Sequence, residues 1–307
     1  MSTVGRRPEH VWVDGRLLPA EGPHLSSFDR GFQLGDGVFE TLRVRANHPT
    51  ELPEHAARLR RSADGLGIGL PSNLEELLRD GVAALVAAEG LAGPDGDASV
   101  RVTVSRGAIM ERGLLPGPGV DATATIVIQA WPVVSPAPGH LDHGLRMTAS
   151  AIRRDPDNPL VMLKTTSRAD YVHARLEARR KGADDALFLT VDGFLSEATT
   201  ANVFIVRGSE LVTPSLACAI LPGTTRSWIL GWAVGVGLEA IEGWLTIRDL
   251  VEADEAFVSS SVAGILPVTR LDDTPIGAGV PGPWTRRARA DREAFIRGET
   301  PSAEANR

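Results

Sequence analysis

Short stretches of alternating apolar and polar residues recur along the chain and predict β-strands. The clearest runs from Val38 to Val44, where every second residue falls on one face, and a second runs from Val100 to Val104. Residues 10–19 predict a hairpin that turns at Asp14-Gly15. Further strands are predicted over residues 122–130, 144–154, 186–191, 202–206 and 210–214. Residues 253–268 predict a strand, a serine-rich turn and an apolar continuation.

Apolar residues spaced three or four apart predict helices elsewhere. Pro53 is placed to open one helix at its first turn, and Asn73 is placed to cap the next. Residues 169–181 predict a helix that ends at Gly182. Two more helices are predicted, one after the turn at residues 221–225 and one from Trp284 to Arg297.

Glycine and proline divide these elements. The glycine-rich stretch from Gly31 to Gly37 predicts a loop, and residues 105–119 predict a second loop that carries Arg106 and Arg112. Three prolines and a glycine within residues 131–140 predict an extended linker. We therefore predict four segments: a small N-terminal α/β domain (1–130), a linker (131–141), a larger C-terminal domain (142–297) and a flexible tail (298–307).

Composition narrows the classes of function. The 307 residues include 43% apolar and 23% charged residues, as in ordinary globular proteins. A net charge of −7 argues against a general affinity for nucleic acid or anionic membranes. The single cysteine, Cys218, allows no intramolecular disulfide and reads as a small buried apolar residue. With no apolar signal core at the N-terminus, the expected compartment is the cytoplasm.

Lys164 and Glu197 bracket a predicted helix and hairpin, and they suggest a specific chemistry. Lys164 follows an apolar run and is one of only two lysines, the other being Lys181. We interpret Lys164 as a Schiff-base lysine for pyridoxal 5'-phosphate and Glu197 as the partner of its pyridine nitrogen. Taken singly, each has a commoner explanation, namely a solvated lysine at a strand end and a solvated glutamate in a turn.

Several blocks of sequence together resemble one family. They are FDRGFQLGDGVFETLRV, HAARLRRSADGLGI, LKTTSR, GADDALFLTVDGFLSEATTANVF, LPGTTR and DEAFVSSSVAGILPV. In their order and spacing they resemble the class IV pyridoxal-phosphate aminotransferases over about residues 10–295. That family includes branched-chain and D-amino-acid aminotransferases, (R)-selective amine transaminases and aminodeoxychorismate lyases.

The resemblance implies a set of cofactor-binding residues. Lys164 would be catalytic and carry the cofactor, Glu197 would meet the pyridine nitrogen, and Arg58 would hold the phosphate. Thr224, Thr225 and Ser261 would add further phosphate donors. From the residues alone, Arg58 could equally be a helix-surface arginine, and the two threonines could be simple helix caps.

The resemblance also implies a substrate pocket. Phe39 would line it, Arg112 would trap the substrate carboxylate, and the backbone at Ser261 and Val262 would lie beside that carboxylate. The loop that carries Arg112 is about one residue longer than in D-amino-acid-type relatives, so a surface arginine stays an alternative. Tyr171 lies two residues beyond the place where several relatives have a cofactor-binding tyrosine, and we interpret it as a helix residue.

The expected fold is therefore a two-domain α/β enzyme of fold type IV, with a small N-terminal α/β domain and a larger domain with a barrel-like sheet. The expected activity is transamination between an amino acid or amine and a 2-oxo acid, with branched-chain, D-amino-acid and (R)-amine types all open. Aminodeoxychorismate lyase is the alternative, and a non-catalytic pyridoxal-phosphate-binding protein is a remote one. The family implies a homodimer, and the sequence predicts no metal site.

Overall fold

The structure is a computed structural model that describes residues 6–120 and 122–299. The described residues form two compact units. The first contains the residues up to Val134 together with Leu163–Ser167, and the second contains Ser135–Met162 and the residues from Arg168 onward. The stretch Leu163–Ser167, which includes Lys164, thus returns to the first unit after the chain has entered the second.

The first unit is built on a six-stranded sheet in which all neighbouring strands are antiparallel. The strand order is β2-β1-β6-β5-β3-β4. The strands are β1 (His10–Val13), β2 (Arg16–Pro19), β3 (Gly37–Arg45), β4 (His48–Pro49), β5 (Asp97–Ser105) and β6 (Thr125–Pro132). The helices are α1 (Arg30–Leu34), α2 (Leu52–Gly65) and α3 (Leu74–Ala88).

One face of this sheet carries the core of the first unit. Val38, Leu42 and Val44 of β3 are buried with the alternate residues of β5 against α2 and α3. The predicted strands at 38–44 and 100–104 and the two helices opened by Pro53 and Asn73 are confirmed. The opposite face of β3, which carries Phe39, is left for the site described below.

Two predictions for the first unit were wrong in detail. The glycine-rich stretch from Gly31 contains helix α1, because the Asp29 side chain accepts the N–H groups of Gly31 and Phe32 and so caps its first turn. The strand predicted over residues 122–130 is observed at Thr125–Pro132, because its residues pair with Ala98 to Ser105 of β5.

The second unit is built on a nine-stranded sheet of mixed direction. Its strands follow the order β12-β11-β10-β13-β14-β7-β8-β9, and β15 pairs with β14. They are β7 (Leu145–Arg154), β8 (Asp185–Thr190), β9 (Leu195–Ala198), β10 (Asn202–Arg207), β11 (Glu210–Pro214), β12 (Glu239–Gly243), β13 (Glu255–Ser260), β14 (Gly264–Leu271) and β15 (Thr274–Pro275). The helices are α4 (Pro138–Asp142), α5 (Ala169–Arg180), α6 (Thr224–Gly235), α7 (Ile247–Val251) and α8 (Pro283–Ile296).

This larger sheet curls on itself. Strand β9 ends the hydrogen-bonded order, yet it also contacts β10 and β11 near the opposite edge. The Ala198 N–H donates to the Ala201 carbonyl at 2.8 Å, and the Ser196 hydroxyl donates to the Ala219 carbonyl at 3.0 Å. The predicted barrel-like sheet is therefore confirmed.

The predicted linker is not uniformly extended. Helix α4 begins at Pro138, whose fixed backbone angle suits the first helical position, so this proline favours a short helix. The predicted tail, residues 298–307, lies outside the described residues except for its first two positions. No helix among the described residues is long and apolar enough to cross a membrane.

Candidate active site

Lys164 is fixed by its backbone within the first unit. Its N–H donates to the Ser62 hydroxyl at 3.1 Å, and its carbonyl accepts the Phe39 N–H at 2.9 Å. The neighbouring Thr166 N–H donates to the Gly37 carbonyl at 2.9 Å. The lysine backbone is thus held from α2 on one side and from β3 on the other, and only its side-chain torsions remain to move the amine.

The Lys164 amine and a second cation share the ring of Phe39. The Lys164 Nζ lies 4.8 Å from the ring centroid, and the Arg101 Cζ lies 3.9 Å from the same centroid. Arg101 belongs to β5, one strand away from Phe39, and its Nε donates to the Thr103 hydroxyl at 3.1 Å. The first unit therefore brings together an amine, an aromatic ring and a guanidinium on the sheet face that does not carry the core.

Arg58 lies on α2 in a buried group with two other titratable residues. Its Nε and Nη2 each donate to the Glu40 carboxylate at 2.7 Å, one to each oxygen. The His55 Nδ1 lies 2.7 Å from the same carboxylate. Burial alone would raise the pKa of Glu40, but the hydrogen bonds and charge of Arg58, together with His55, lower it to about 2. Arg58 is therefore not a helix-surface arginine.

The two loop arginines behave differently. Arg106 is buried, and its Nε and Nη2 donate to the Asp36 carboxylate at 2.6 and 3.0 Å, which ties the loop start to the sheet. Arg112 lies further along the same loop and is exposed. Its predicted contact with a substrate carboxylate stays a prediction.

Glu197 is a buried carboxylate on β9 of the second unit. Its Oε1 accepts Arg154 Nη2 at 3.1 Å, and its Oε2 accepts the Leu221 N–H at 3.0 Å. Its side chain is only 7% exposed. Glu197 is thus not a solvated turn glutamate.

Arg154 is the residue that organises the surroundings of Glu197. It ends β7, is 6% exposed, and also donates to Asp170 at 3.0 Å and to the Tyr171 hydroxyl. Tyr171 lies on α5, as interpreted, and its hydroxyl is 3.5 Å from Glu197 Oε1. Burial, and then the charge of Glu197, raise the pKa of Tyr171, so this phenol stays neutral.

The N-terminus of α6 provides a separate cluster of hydroxyl groups. Thr224 and Thr225 form its first turn, and no side chain caps it, since the N-cap is Gly223. The Thr224 hydroxyl lies 3.3 Å from the Ser261 hydroxyl, and Arg292 Nη2 donates to the Thr225 hydroxyl at 3.3 Å. The structure therefore brings Thr224, Thr225 and Ser261 into one place, with Val262 directly after Ser261 in the turn that follows β13.

Comparison with known proteins identifies the family. The model of the class IV amino-transferases matches residues 37–271. The aminodeoxychorismate lyase of Bacillus subtilis is 31% identical over 268 residues, covering 87% of this chain and 88% of that protein. The D-alanine aminotransferase of Bacillus licheniformis is 29% identical over 290 residues, covering 94% of this chain and 98% of that protein. This chain belongs to the class IV aminotransferases.

A solved structure extends the likeness to the whole fold. A branched-chain amino acid aminotransferase from T.th., determined with pyridoxamine 5'-phosphate, superposes with a TM-score of 0.88 at 26% identity and covers 97% of each chain. The fold is therefore fold type IV, and the cofactor of this enzyme is pyridoxal 5'-phosphate. Relatives with three different substrate classes match at similar identity, so likeness alone leaves the substrate open.

The side chains in each unit suit this cofactor. The first turn of α6 offers backbone N–H groups with no capping side chain, and such a helix start favours a phosphate. At Gly223 an added Cβ would lie 2.2 Å from the Asn202 Oδ1, so the chain leaves no room for a side chain there. A carboxylate has about four acceptor positions, so Glu197 can accept a ring N–H in addition to Arg154 and Leu221.

Three residues of these clusters were not anticipated from the sequence: Arg101, Arg154 and Arg292. Arg101 follows Val100 in an alternating strand, so its position on the face of Phe39 was readable from the pattern once β3 and β5 are paired. Arg154 and Arg292 carry no such signal, because arginine is abundant here and their partners lie 43 and 67 residues away. Among the described residues, no group of three or more histidine, cysteine, aspartate or glutamate side chains is arranged to hold a metal ion.

Proposed function

We propose that this aminotransferase acts on amino donors that carry a carboxylate, that is, on amino acids rather than simple amines. The observation that supports this is the pair of cations at the Phe39 ring, with Lys164 Nζ at 4.8 Å and Arg101 Cζ at 3.9 Å. An arginine beside the reactive amine suits a substrate that has its carboxylate next to its amino group. Arg112, and the backbone at Ser261 and Val262, are further candidates for the same carboxylate.

Lys164 is the catalytic residue of this proposal. Pyridoxal phosphate, when bound, supplies a ring that accepts the electrons left on the substrate carbon after a proton departs. The Lys164 Nζ first holds the cofactor and, once released from it, takes that proton and later returns it. Because Ser62 and Phe39 hold the lysine backbone, the Nζ moves only through its own side-chain torsions.

Glu197 and the phosphate-binding residues complete the proposal. Glu197 offers a carboxylate oxygen to the pyridine N–H and so keeps that nitrogen protonated. Arg58 donates to the phosphate, as do Thr224, Thr225 and Ser261, whose hydroxyl groups and helix start are typical of phosphate sites. Phe39 forms part of the substrate pocket through its ring.

We also propose that the enzyme is a homodimer of the cytoplasm. In the first unit, a surface that we name the Phe32 patch exposes large apolar side chains from two segments. Arg30 joins these segments by donating to the Gly113 and Leu114 carbonyls at 2.5 and 2.8 Å. The patch consists of Leu25, Phe28, Phe32, Leu34, Met110, Leu114 and Leu115. Apolar surfaces of this kind favour association, and the single cysteine suits a reducing compartment.

A lyase reaction is the second candidate, and the lyase relative at 31% identity supports it. It would use the same lysine and carboxylate on aminodeoxychorismate and release pyruvate and 4-aminobenzoate. Since both reactions begin with the same proton transfer, the residues described above suit either. The substrate must therefore be tested directly.

Half-reactions followed by the visible absorption of the bound cofactor test the proposal. L-leucine, D-alanine and L-glutamate are compared with (R)-1-phenylethylamine, and aminodeoxychorismate is assayed for pyruvate. We expect at least one amino acid to react faster than the amine. We also expect Arg101→Gln to slow that amino acid by about 10- to 100-fold, the range of a lost hydrogen bond to a charged group, with little change for the amine.

Arg112→Gln in the same panel tests the alternative carboxylate ligand. Equal effects of Arg101→Gln on amino acids and on the amine would remove Arg101 from the pocket. If aminodeoxychorismate alone reacts, the lyase is the correct function.

A further inference from the structure

Glu40, His55 and Arg58 form a buried group in which one edge of the Arg58 guanidinium donates two hydrogen bonds to Glu40. Glu40, His55 and Arg58 are 1%, 1% and 3% exposed. Nε and Nη2 of Arg58 lie on the same edge of its planar group, and both donate to Glu40 at 2.7 Å. Two bonds to one carboxylate fix the plane and the rotation of the guanidinium, and they direct Nη1 away from Glu40.

We propose that Glu40 and His55 are positioning residues that aim Arg58 at the cofactor phosphate. The proposal rests on the proposed function, in which Arg58 is a phosphate ligand. Glu40 sets the orientation of Arg58 through the two-bond contact. His55 holds the second carboxylate oxygen at 2.7 Å and so keeps the carboxylate from turning.

The same two elements also fix Lys164. Glu40 follows Phe39 on β3, and the Phe39 N–H donates to the Lys164 carbonyl at 2.9 Å. Ser62 lies one turn after Arg58 on α2, and its hydroxyl accepts the Lys164 N–H at 3.1 Å. Strand β3 and helix α2 therefore hold both Arg58 and the reactive lysine, so a guanidinium fixed by Glu40 is also fixed relative to the lysine backbone.

The charge of Glu40 persists under ordinary assay conditions. Its pKa is lowered to about 2 because Arg58 and His55 stabilise the carboxylate more than burial destabilises it. The two-bond contact therefore remains intact at neutral pH. Stability alone explains such a group poorly, because buried ion pairs are often no better for folding than apolar residues of the same volume.

Binding of two forms of the cofactor to the apoenzyme tests the proposal. Pyridoxal 5'-phosphate and pyridoxal, which lacks the phosphate, are titrated against the wild type, Glu40→Gln, His55→Gln and Arg58→Met. We expect Glu40→Gln to weaken binding of the phosphorylated form by about tenfold or more, equivalent to about 1.4 kcal/mol, and to leave pyridoxal binding within about twofold. Arg58→Met should likewise lose the preference for pyridoxal 5'-phosphate over pyridoxal. A variant that combines Glu40→Gln with Arg58→Met should bind pyridoxal 5'-phosphate no more weakly than Arg58→Met alone.

The chain offers a matched control. Arg43 Nε and Nη2 donate to the Asp97 carboxylate, again at 2.7 Å each, and Arg43 lies on β3 like Glu40. Asp97→Asn should leave the preference for the phosphorylated cofactor unchanged. Circular dichroism and thermal unfolding check that each variant is folded.

The possible outcomes distinguish an error about Arg58 as a phosphate ligand from an error about Glu40 as a positioning residue. If Arg58→Met keeps the preference for the phosphate, Arg58 is not a phosphate ligand and that part of the proposed function is wrong. If Arg58→Met loses it but Glu40→Gln keeps it, or weakens both ligands equally, the positioning role is wrong. An equal loss of preference in Asp97→Asn would also overturn that role, since any broken ion pair would then produce the effect.

Discussion

Arg154 shows how a single residue can serve three partners. It contacts Glu197, Asp170 and Tyr171 from the end of one strand, and it is 6% exposed. A buried cation is costly unless it is paired, and here the pairing satisfies two carboxylates and a phenol. Glu197 depends on this cation, because its other hydrogen bonds come from the uncharged Leu221 N–H at 3.0 Å and the more distant Tyr171 hydroxyl at 3.5 Å.

Replacing Arg154 by methionine should therefore lower both the stability of the fold and the activity. The change removes the cation and leaves Glu197 and Tyr171 buried, so we expect a loss of about 3 kcal/mol in the free energy of unfolding. The turnover number kcat should fall by about tenfold or more, because Glu197 loses its fixed orientation. Urea unfolding and steady-state kinetics measure the two effects.

The neighbouring arginine is the control for this prediction. Arg153 is exposed, so Arg153→Met should change the free energy of unfolding by less than about 0.5 kcal/mol and leave kcat unaltered. Similar losses in both variants would mean that the effect comes from surface charge and not from the support of Glu197.

At the scale of elements, helix α6 combines a crowded start with an open middle. Gly223 caps the helix where a Cβ would lie 2.2 Å from Asn202 Oδ1, and the Asn202 Nδ2 already donates to the Leu221 carbonyl at 3.0 Å. Gly231, two turns later, has no atom within 4 Å of a Cβ. Glycine is therefore required for space at position 223, whereas at position 231 a larger residue would fit.

Substitution of each glycine by alanine tests whether the two positions differ in the space they offer. Gly223→Ala must displace Asn202 and the helix start, so we expect it to destabilise the fold and to weaken binding of pyridoxal 5'-phosphate more than binding of pyridoxal. Gly231→Ala should stabilise the protein by up to about 1 kcal/mol, because alanine is the better helix former. Thermal unfolding and cofactor titration measure both. A stable Gly223→Ala variant with normal cofactor binding would contradict this account of the helix start.

The elements also show what a sequence can predict. Strands β3 and β5 and helices α2 and α3 follow strong periodic patterns, so their existence was readable. Helix α1 was missed because a single side chain, Asp29, caps a segment whose glycines suggest a loop. Lys164 and Glu197 were proposed from their residue types and spacing, and their roles stay predictions. The Arg154–Glu197 contact could not be proposed in that way, because it needs the pairing of strands that are distant in the chain.

At the scale of the whole molecule, large apolar side chains remain exposed in the Phe32 patch. Phe32 is 77% exposed, Leu114 is 78% exposed and Met110 is 72% exposed. Folded monomers rarely leave clusters of such residues in water. A second copy of the chain is the partner that the family implies.

Sedimentation analysis tests this association. The wild type should sediment at twice the chain mass, and Phe32→Asp should weaken the dimer, because a buried carboxylate at an apolar interface is unfavourable. Val234→Asp places the same charge on a side chain that is 67% exposed in the second unit and should leave the dimer intact. A monomeric wild type, or equal dissociation of both variants, would exclude the Phe32 patch as the interface.

The return of Leu163–Ser167 to the first unit limits how this enzyme can be divided or recombined. The chain enters the second unit at Ser135, leaves it after Met162 and re-enters it at Arg168. A fragment that stops near residue 134 lacks Lys164, the proposed catalytic lysine, and the complementary fragment contains Lys164 without Phe39 and Ser62, which hold it. A chimaera with a relative that uses a single junction near residue 134 therefore pairs a lysine segment from one parent with a sheet from the other, and its activity will depend on how well those two parts match.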